Sequence, residues 1–300
     1  MPPPRSAAAP PVRATVPALA AVYLIWGSTY LAMRYALEGF PPLLMAGVRF
    51  IAAGGAMLGW AALRGDPLPD RRQWLAALPV GPLLFVVGNG FIALAEQSVG
   101  SGVAAVVVAT MPLWMGLLSA AAGERPGRRE WLGVGLGFGA VAFLASGDDL
   151  RGEPGATLFL LCSPLGWALG SAVARRAPRR PGGLIAVAGV QMLAGGAAAI
   201  AVGLAIGERM TALPGAVPIL AVAYLVVFGS LVGFTAYSWL LAHTRPVLAT
   251  SYAFVNPIIA VALGTVVAAE PLRWHTAIAA PMVATAVALA VTARAGSSRS

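Results

Sequence analysis

The sequence is poor in charge, holds one cysteine and two histidines, and has no lysine. Charged residues make up 10% of its 300 positions, where a soluble domain carries roughly 25%. So few charges cannot cover a water-exposed surface of this size, which excludes a cytosolic enzyme and a disordered chain. The single Cys162 excludes an intrachain disulfide, a disulfide-stapled secreted fold and a cysteine metal site. His243 and His275 lie far apart near the ends of apolar runs, and there is no H-E-x-x-H, Cys/His cluster or P-loop. No metal, cofactor or ATP site is implied.

What abounds is apolar. Hydrophobic residues are 59% of the chain, and a membrane helix takes ~20 mostly apolar residues, so the composition supports eight to ten spans. The expected class is an all-α polytopic membrane protein with short loops. Its net charge is +9, all of the basic residues being Arg. These arginines fall in short clusters between apolar runs, so the charge is read as membrane topology and not as nucleic-acid binding.

The punctuation predicts ten spans, roughly Val16–Met33, Leu43–Leu63, Trp74–Ala95, Ser101–Ala122, Trp131–Ser146, Ala156–Ala174, Leu184–Ile206, Val217–Leu241, Val247–Ala269 and Trp274–Ala293. The fifth and sixth are short, which suggests tilt or a thin local bilayer. With the N-terminus inside, cytoplasmic segments hold 15 arginines and outer loops hold 4, Arg34, Arg151, Arg209 and Arg273. That asymmetry predicts both termini in the cytoplasm of an inner-membrane protein. The first apolar run is read as a retained span and not as a cleaved signal peptide. The expected organisation is a disordered cytoplasmic tail over 1–15, a five-span unit over 16–147, a second over 148–293 and a short tail over 294–300.

The two units resemble each other. Ala46-Gly47-Val48-Arg49-Phe50-Ile51-Ala52-Ala53-Gly54 aligns with Ala188-Gly189-Val190-Gln191-Met192-Leu193-Ala194-Gly195-Gly196 at an offset of 142. Trp26 and Arg34 match Trp167 and Arg175, and Gly88 and Ala95 match Gly229 and Ala236, at 141. Pro112 matches Pro257 at 145, and Trp131 matches Trp274 at 143. Five spans per unit is odd, so the second unit enters the membrane from the opposite face. Such inverted repeats mark alternating-access secondary transporters, with the site near the midplane where the halves meet.

The stretches Ile25-Trp26-Gly27-Ser28-Thr29-Tyr30, Pro41-Pro42, Ala46 to Phe50 and Val87-Gly88-Asn89-Gly90 resemble the first half of an EamA-type exporter. Phe228-Gly229-Ser230 and Ala249-Thr250-Ser251-Tyr252-Ala253-Phe254-Val255-Asn256-Pro257 resemble the matching elements of the second. The chain is thereby similar to the ten-helix drug/metabolite transporter superfamily, and to its YedA-type permeases. The resemblance implies export of a small metabolite, such as an amino acid, a purine or a drug-like compound, and a central cavity ringed by these spans.

The candidate site residues follow from helical spacing. Pro112 and Pro257, near the middles of spans four and nine, free the carbonyls of Val108 and Ala253 and are read as a hinge or as packing kinks. Tyr252 and Asn256 share a face, as do Thr110 and Trp114, Trp26 and Tyr30, and Trp167 and Ser171. Asn89, Ala93 and Glu96 form a face of span three that matches Ser230, Phe234 and Tyr237 in span eight. For Ser and Thr the competing role is interhelical hydrogen bonding; for each tryptophan it is packing or interface anchoring. Arg49, a charge inside span two, is expected to snorkel outward or cap carbonyls, or else to pair with an acid or a substrate carboxylate. Glu96 is either a solvated loop acid or a guard of the outer mouth near Arg49.

Gly133, Gly135, Gly137 and Gly139 could form an internal seam or a weak homodimer contact. The expected activity is export of a small-molecule substrate by alternating access, as a monomer or weak dimer. An importer or exchanger of the same fold is the alternative. A membrane-embedded enzyme lacks any nucleophile and base pairing in the sequence.

Overall fold

A computed structural model describes residues 12–123, 127–147, 150, 153–176, 183–244 and 251–297. The expected tail over 1–11, the loop residues 177–182, the start of span nine over 245–250 and residues 298–300 lie outside them. The described residues contain no strand and form ten helices of membrane-crossing order. In chain order they are α1 Val12–Leu37, α2 Pro42–Leu63, α3 Arg71–Ala95, α4 Ser101–Ala121 and α5 Arg128–Ala145. The second half adds α6 Pro154–Arg176, α7 Leu184–Ala205, the composite α8 (Ala216–Tyr224, Leu225–Val232, Gly233–His243), α9 Tyr252–Val267 and α10 Trp274–Ser297. Helices α1–α4 and α6–α8 are each long and apolar enough to cross a bilayer. Helix α5 opens on Arg128, Arg129 and Glu130, and α9 is a shorter apolar helix.

Local chemistry sets the ends. Pro42 opens α2, where its missing N–H costs nothing. Asp70 and Gln73 cap α3 reciprocally: the Gln73 N–H donates to Asp70 Oδ1 and the Asp70 N–H to Gln73 Oε1, both at 2.9 Å. Gly65 and Gly207, 142 residues apart, end α2 and α7 with φ of +69° and +91°, a conformation that L side chains avoid. Several ends differ from the sequence reading. Helix α1 starts at Val12, four residues early, and α10 runs to Ser297. Helix α6 continues through Arg175 and Arg176, because charged residues end an apolar run without ending a helix.

The packing has a pseudo-two-fold order. Helix α2 pairs with α7 and α5 with α10; α1 packs on α8 and α9 just as α6 packs on α3 and α4. The α2–α7 crossing runs over glycines from both halves. A Cβ on Gly54 would sit 2.6 Å from the Gly189 carbonyl, and one on Gly47 would sit 2.9 Å from the Gly196 carbonyl. Gly189 and Gly196 are the repeat mates of Gly47 and Gly54, so each glycine faces the mate of the other. Glycine lets the two backbones approach this closely. On the periphery, Leu24, Leu158, Leu220 and Val266 are exposed, as a lipid-facing surface requires. The glycines of α5 divide: Gly133 and Gly137 face inward, Gly137 against Leu113 and Ala286, while Gly135 and Gly139 face open space.

Candidate functional site

The third helix of each half carries a π-helical stretch, Pro82–Gly90 in α3 and Leu225–Val232 in α8. A π-turn widens the helix and leaves backbone carbonyls for other partners. The Gly88 carbonyl accepts from Ser163 Oγ of α6 at 2.6 Å. Its repeat mate, the Gly229 carbonyl, accepts from Trp26 Nε1 of α1 at 3.1 Å. The indole of Trp167 lies over Gly88, where a Cβ would come 2.5 Å from its Cδ1, and that of Trp26 lies over Gly233. Each half therefore places a tryptophan on the glycine backbone of a π-stretch in the other half. The matched offsets of Trp26/Trp167 and Gly88/Gly229 carry this arrangement in the sequence.

Trp26 is the hub of an aromatic cluster. Its centroid lies 4.8 Å from Tyr252 at 87°, 5.2 Å from Tyr237 and 5.8 Å from Phe234. Tyr237 and Tyr252 meet edge to face at 5.6 Å and 89°. Edge-to-face geometry of this kind is favourable between aromatic quadrupoles. Phe234 continues to Phe85 at 6.5 Å, and Phe85 to Trp167 at 6.2 Å and Phe50 at 4.4 Å. Trp26, Tyr30, Phe234, Tyr237, Tyr252 and Trp167 are each partly accessible. Asn256, 7% exposed, holds its Oδ1 without a hydrogen-bond partner. A buried amide oxygen left so is a costly arrangement and marks a place for a donor.

The other candidates sort differently. Asn89 Nδ2 donates to the Leu84 carbonyl in its own π-stretch at 3.2 Å. Thr110 Oγ1 donates to the Val107 carbonyl at 2.7 Å, closing the break between the two segments of α4, Ser101–Val108 and Met111–Ala121. Pro112 falls in the first turn of the second segment, so it starts a helix where the sequence reading had it kink one. Pro257 sits inside α9, in the second turn of the described helix. Trp114 packs edge to face on Phe138 of α5 at 4.9 Å, outside the Trp26 cluster. Ser230 accepts from Arg49 Nε at 3.1 Å. Arg49 is 5% exposed and points into the bundle, so the expected outward snorkelling does not occur.

Glu96 is also 5% exposed, which removes the solvated-loop reading. Its charged neighbours are Arg34 and Glu270, and Arg49 is instead held at Ser230. Arg34 Nη1 pairs with Glu270 at 2.9 Å, and Glu270 also accepts from Ser101 N, Ser101 Oγ and Gly102 N at the start of α4. Glu96 lies beside this network with both carboxylate oxygens unpartnered. Sequence reasoning missed the Arg34–Glu270 pair and the rings of Phe50 and Phe85: Arg34 and Phe50 fall on repeat matches, but their partners Glu270 and Phe85 do not. A groove of about 650 Å³, lined by Glu38, Gln97, Glu208 and Arg209 among others, is separate from the aromatic cluster.

The two halves also match a known sequence family separately. The model of the EamA-like transporter family matches residues 14–146 and again 155–292. The chain belongs to the EamA-like transporter family. It is 45% identical over 256 residues to the uncharacterized inner membrane transporter YedA of Escherichia coli K12, covering 85% of this chain and 83% of that one. It is 27% identical to the uncharacterized transporter sll0355 of Synechocystis, over 85% of this chain and 82% of the other. A solved crystal structure superposes with a TM-score of 0.65 at 22% identity, covering 94% of this chain and 99% of that chain, a likeness of fold. This EamA-like protein is thus a YedA-like, multi-pass inner-membrane transporter of the drug/metabolite transporter superfamily.

Proposed function

We propose that the chain exports a small organic metabolite from the cytoplasm by alternating access, converting nothing chemically. Trp26, Tyr237 and Tyr252 would hold the substrate, with Asn256 below them. The observation that carries the reading is the mirrored contact of Trp26 on Gly229 and Gly233 and of Trp167 on Gly88. These contacts join opposite halves, so rocking one half against the other remakes the site's walls. The rings offer stacking faces and two phenol hydroxyls, and Asn256 offers a free acceptor, a lining suited to a planar or apolar molecule with a donor group. The arginine asymmetry supports cytoplasmic termini, and with them a cytoplasmic Arg175–Pro181 loop.

The test begins with resistance of overexpressing cells to a panel of amino-acid and purine analogues, followed by efflux of the best compound from proteoliposomes. Tyr252→Ala and Asn256→Ala are expected to cut efflux by about tenfold or more, while membrane levels stay near wild type. Wild-type rates in both variants would place the site elsewhere in the bundle.

A further inference from the structure

Arg49 is a buried cation that the fold does not require. It lies seven residues into α2, ~10 Å along the helix from Pro42 at 1.5 Å per residue. A charge at that depth is costly and is normally paired. Among the described residues no carboxylate lies within 4.0 Å of its guanidinium, the ion pair there being Arg34–Glu270. The repeat mate of Arg49 is the neutral Gln191, so the inverted symmetry that shapes the bundle makes no demand for a positive charge.

The surroundings of the guanidinium are those of an incomplete binding site. Guanidinium has five N–H donors in a planar fork. The Nε donates to Ser230 Oγ at 3.1 Å, and the Phe50 ring centroid lies 4.7 Å from Cζ. The sealed side-chain atoms without a partner, among the described residues, are Glu96 Oε1, Glu96 Oε2 and Asn256 Oδ1. The two Nη groups are not among them, and Ser230 is the hydrogen-bond partner of the guanidinium among the described residues. Nη2 stands 3.1 Å from where a Cβ on Gly229 would be, so the missing side chain is what lets the guanidinium lie against this backbone. The carbonyl of that same Gly229 holds the Trp26 indole. The guanidinium of Arg49 and the hub of the aromatic cluster thus converge on one residue.

We infer that Arg49 is the anion-binding group of the transport site and that the substrates are small organic carboxylates with a planar, apolar body. This rests on the site proposed above and names its substrate class. The two Nη groups match the two oxygens of a carboxylate in bidentate geometry, and Trp26 with its tyrosine neighbours receives the body. One cation balances one negative charge, which favours a carboxylate over a phosphate dianion. Because only one half supplies the cation, a pseudo-symmetric chamber takes its substrate in one orientation.

The test is a tryptophan-fluorescence titration of the purified protein in detergent with phenylacetate, phenylacetamide, phenethylamine and phenyl phosphate. Wild type is expected to bind phenylacetate about tenfold or more tightly than the amide or the amine, because each of these leaves the fork unpaired. Arg49→Gln, which copies the repeat mate, should erase the preference yet retain amide binding. Arg49→Lys should keep the preference for the anion at reduced affinity. Equal binding of acid and amide by wild type, no binding of phenylacetate, preference for phenyl phosphate, or an intact preference in Arg49→Gln would each overturn the inference. Tyr252→Ala separates the two readings. Loss of all probes in Tyr252→Ala with unchanged selectivity in Arg49→Gln removes the anion site and keeps the aromatic site. Loss of carboxylate binding in Arg49→Gln with full binding in Tyr252→Ala removes the aromatic site.

Discussion

Glu96 and Glu270 are neighbours with opposite circumstances. Glu270 has an arginine, a hydroxyl and two backbone N–H groups on its oxygens, so its charge is well supported. Glu96 has none of these. Burial pushes its carboxyl well above the usual range, the negative charge of Glu270 pushes the same way, and Arg34 opposes both. The sign for stability follows. The folded state keeps the Glu96 proton at a pH where the unfolded chain, near ~4.3, has lost it. Folding then takes up a proton, and stability falls as pH rises through that window. Glu96→Gln fixes the neutral form, so its apparent melting temperature should match wild type near pH 4 and exceed it increasingly toward pH 8. Thermal scans of detergent-purified protein measure this, with the exposed Glu38→Gln as control. A difference that is the same at every pH would remove the buried acid from the pH response.

The residues at this scale were unequally legible in the sequence. Trp26, Tyr252 and Asn256 could be singled out in the sequence because helical spacing reports on a single helix, and the repeat offset paired Trp26 with Trp167. The inward aim of Arg49 could not, since it is decided by Ser230, 181 residues away on α8. Thr110 and Trp114 share a spacing, but the break in α4 gives Thr110 a local carbonyl and Trp114 a partner in α5.

At the scale of elements, the repeat offset of 142 aligned Gly47 and Gly54 with Gly189 and Gly196 and so left a mark in the sequence, although the seam was sought among Gly133, Gly135, Gly137 and Gly139 of α5. The π-stretches leave none. Pro82–Gly90 and Leu225–Val232 read as ordinary apolar helix, and the extra residue per turn is settled by what takes up the freed carbonyls. The seam yields a sharp contrast between adjacent glycines. A Cβ on Gly54 meets the Gly189 carbonyl at 2.6 Å, whereas one on Gly55 meets nothing within 4 Å. Gly54→Val should therefore force α2 from α7, at about 1–3 kcal/mol or more of overpacking, lowering both the melting temperature and the monodisperse yield. Gly55→Val should leave both near wild type. Equal behaviour of the two variants in size-exclusion chromatography and thermal scans would place the helix contact on another face.

At the scale of the whole molecule, the halves are fastened in one direction at the end that holds the α7–α8 and α9–α10 loops. Glu208, in the loop after α7, accepts from the Leu43 and Leu44 N–H groups at the start of α2, at 2.9–3.1 Å. Glu270, in the loop after α9, does the same for Ser101 and Gly102 at the start of α4. Both carboxylates belong to the second half and both helix starts to the first, where the dipole favours negative charge. The orientation expected from the arginine count, 15 with the termini inside against 4 in the outer loops, would turn this latched end to the periplasm. With Cys162→Ala as background, Arg209→Cys should label with an impermeant maleimide in intact spheroplasts, and Arg179→Cys should label only after lysis. The reverse pattern would turn the molecule over. The carboxylate latches would then close the cytoplasmic end, and an exporter would be loading its substrate through the end they hold shut.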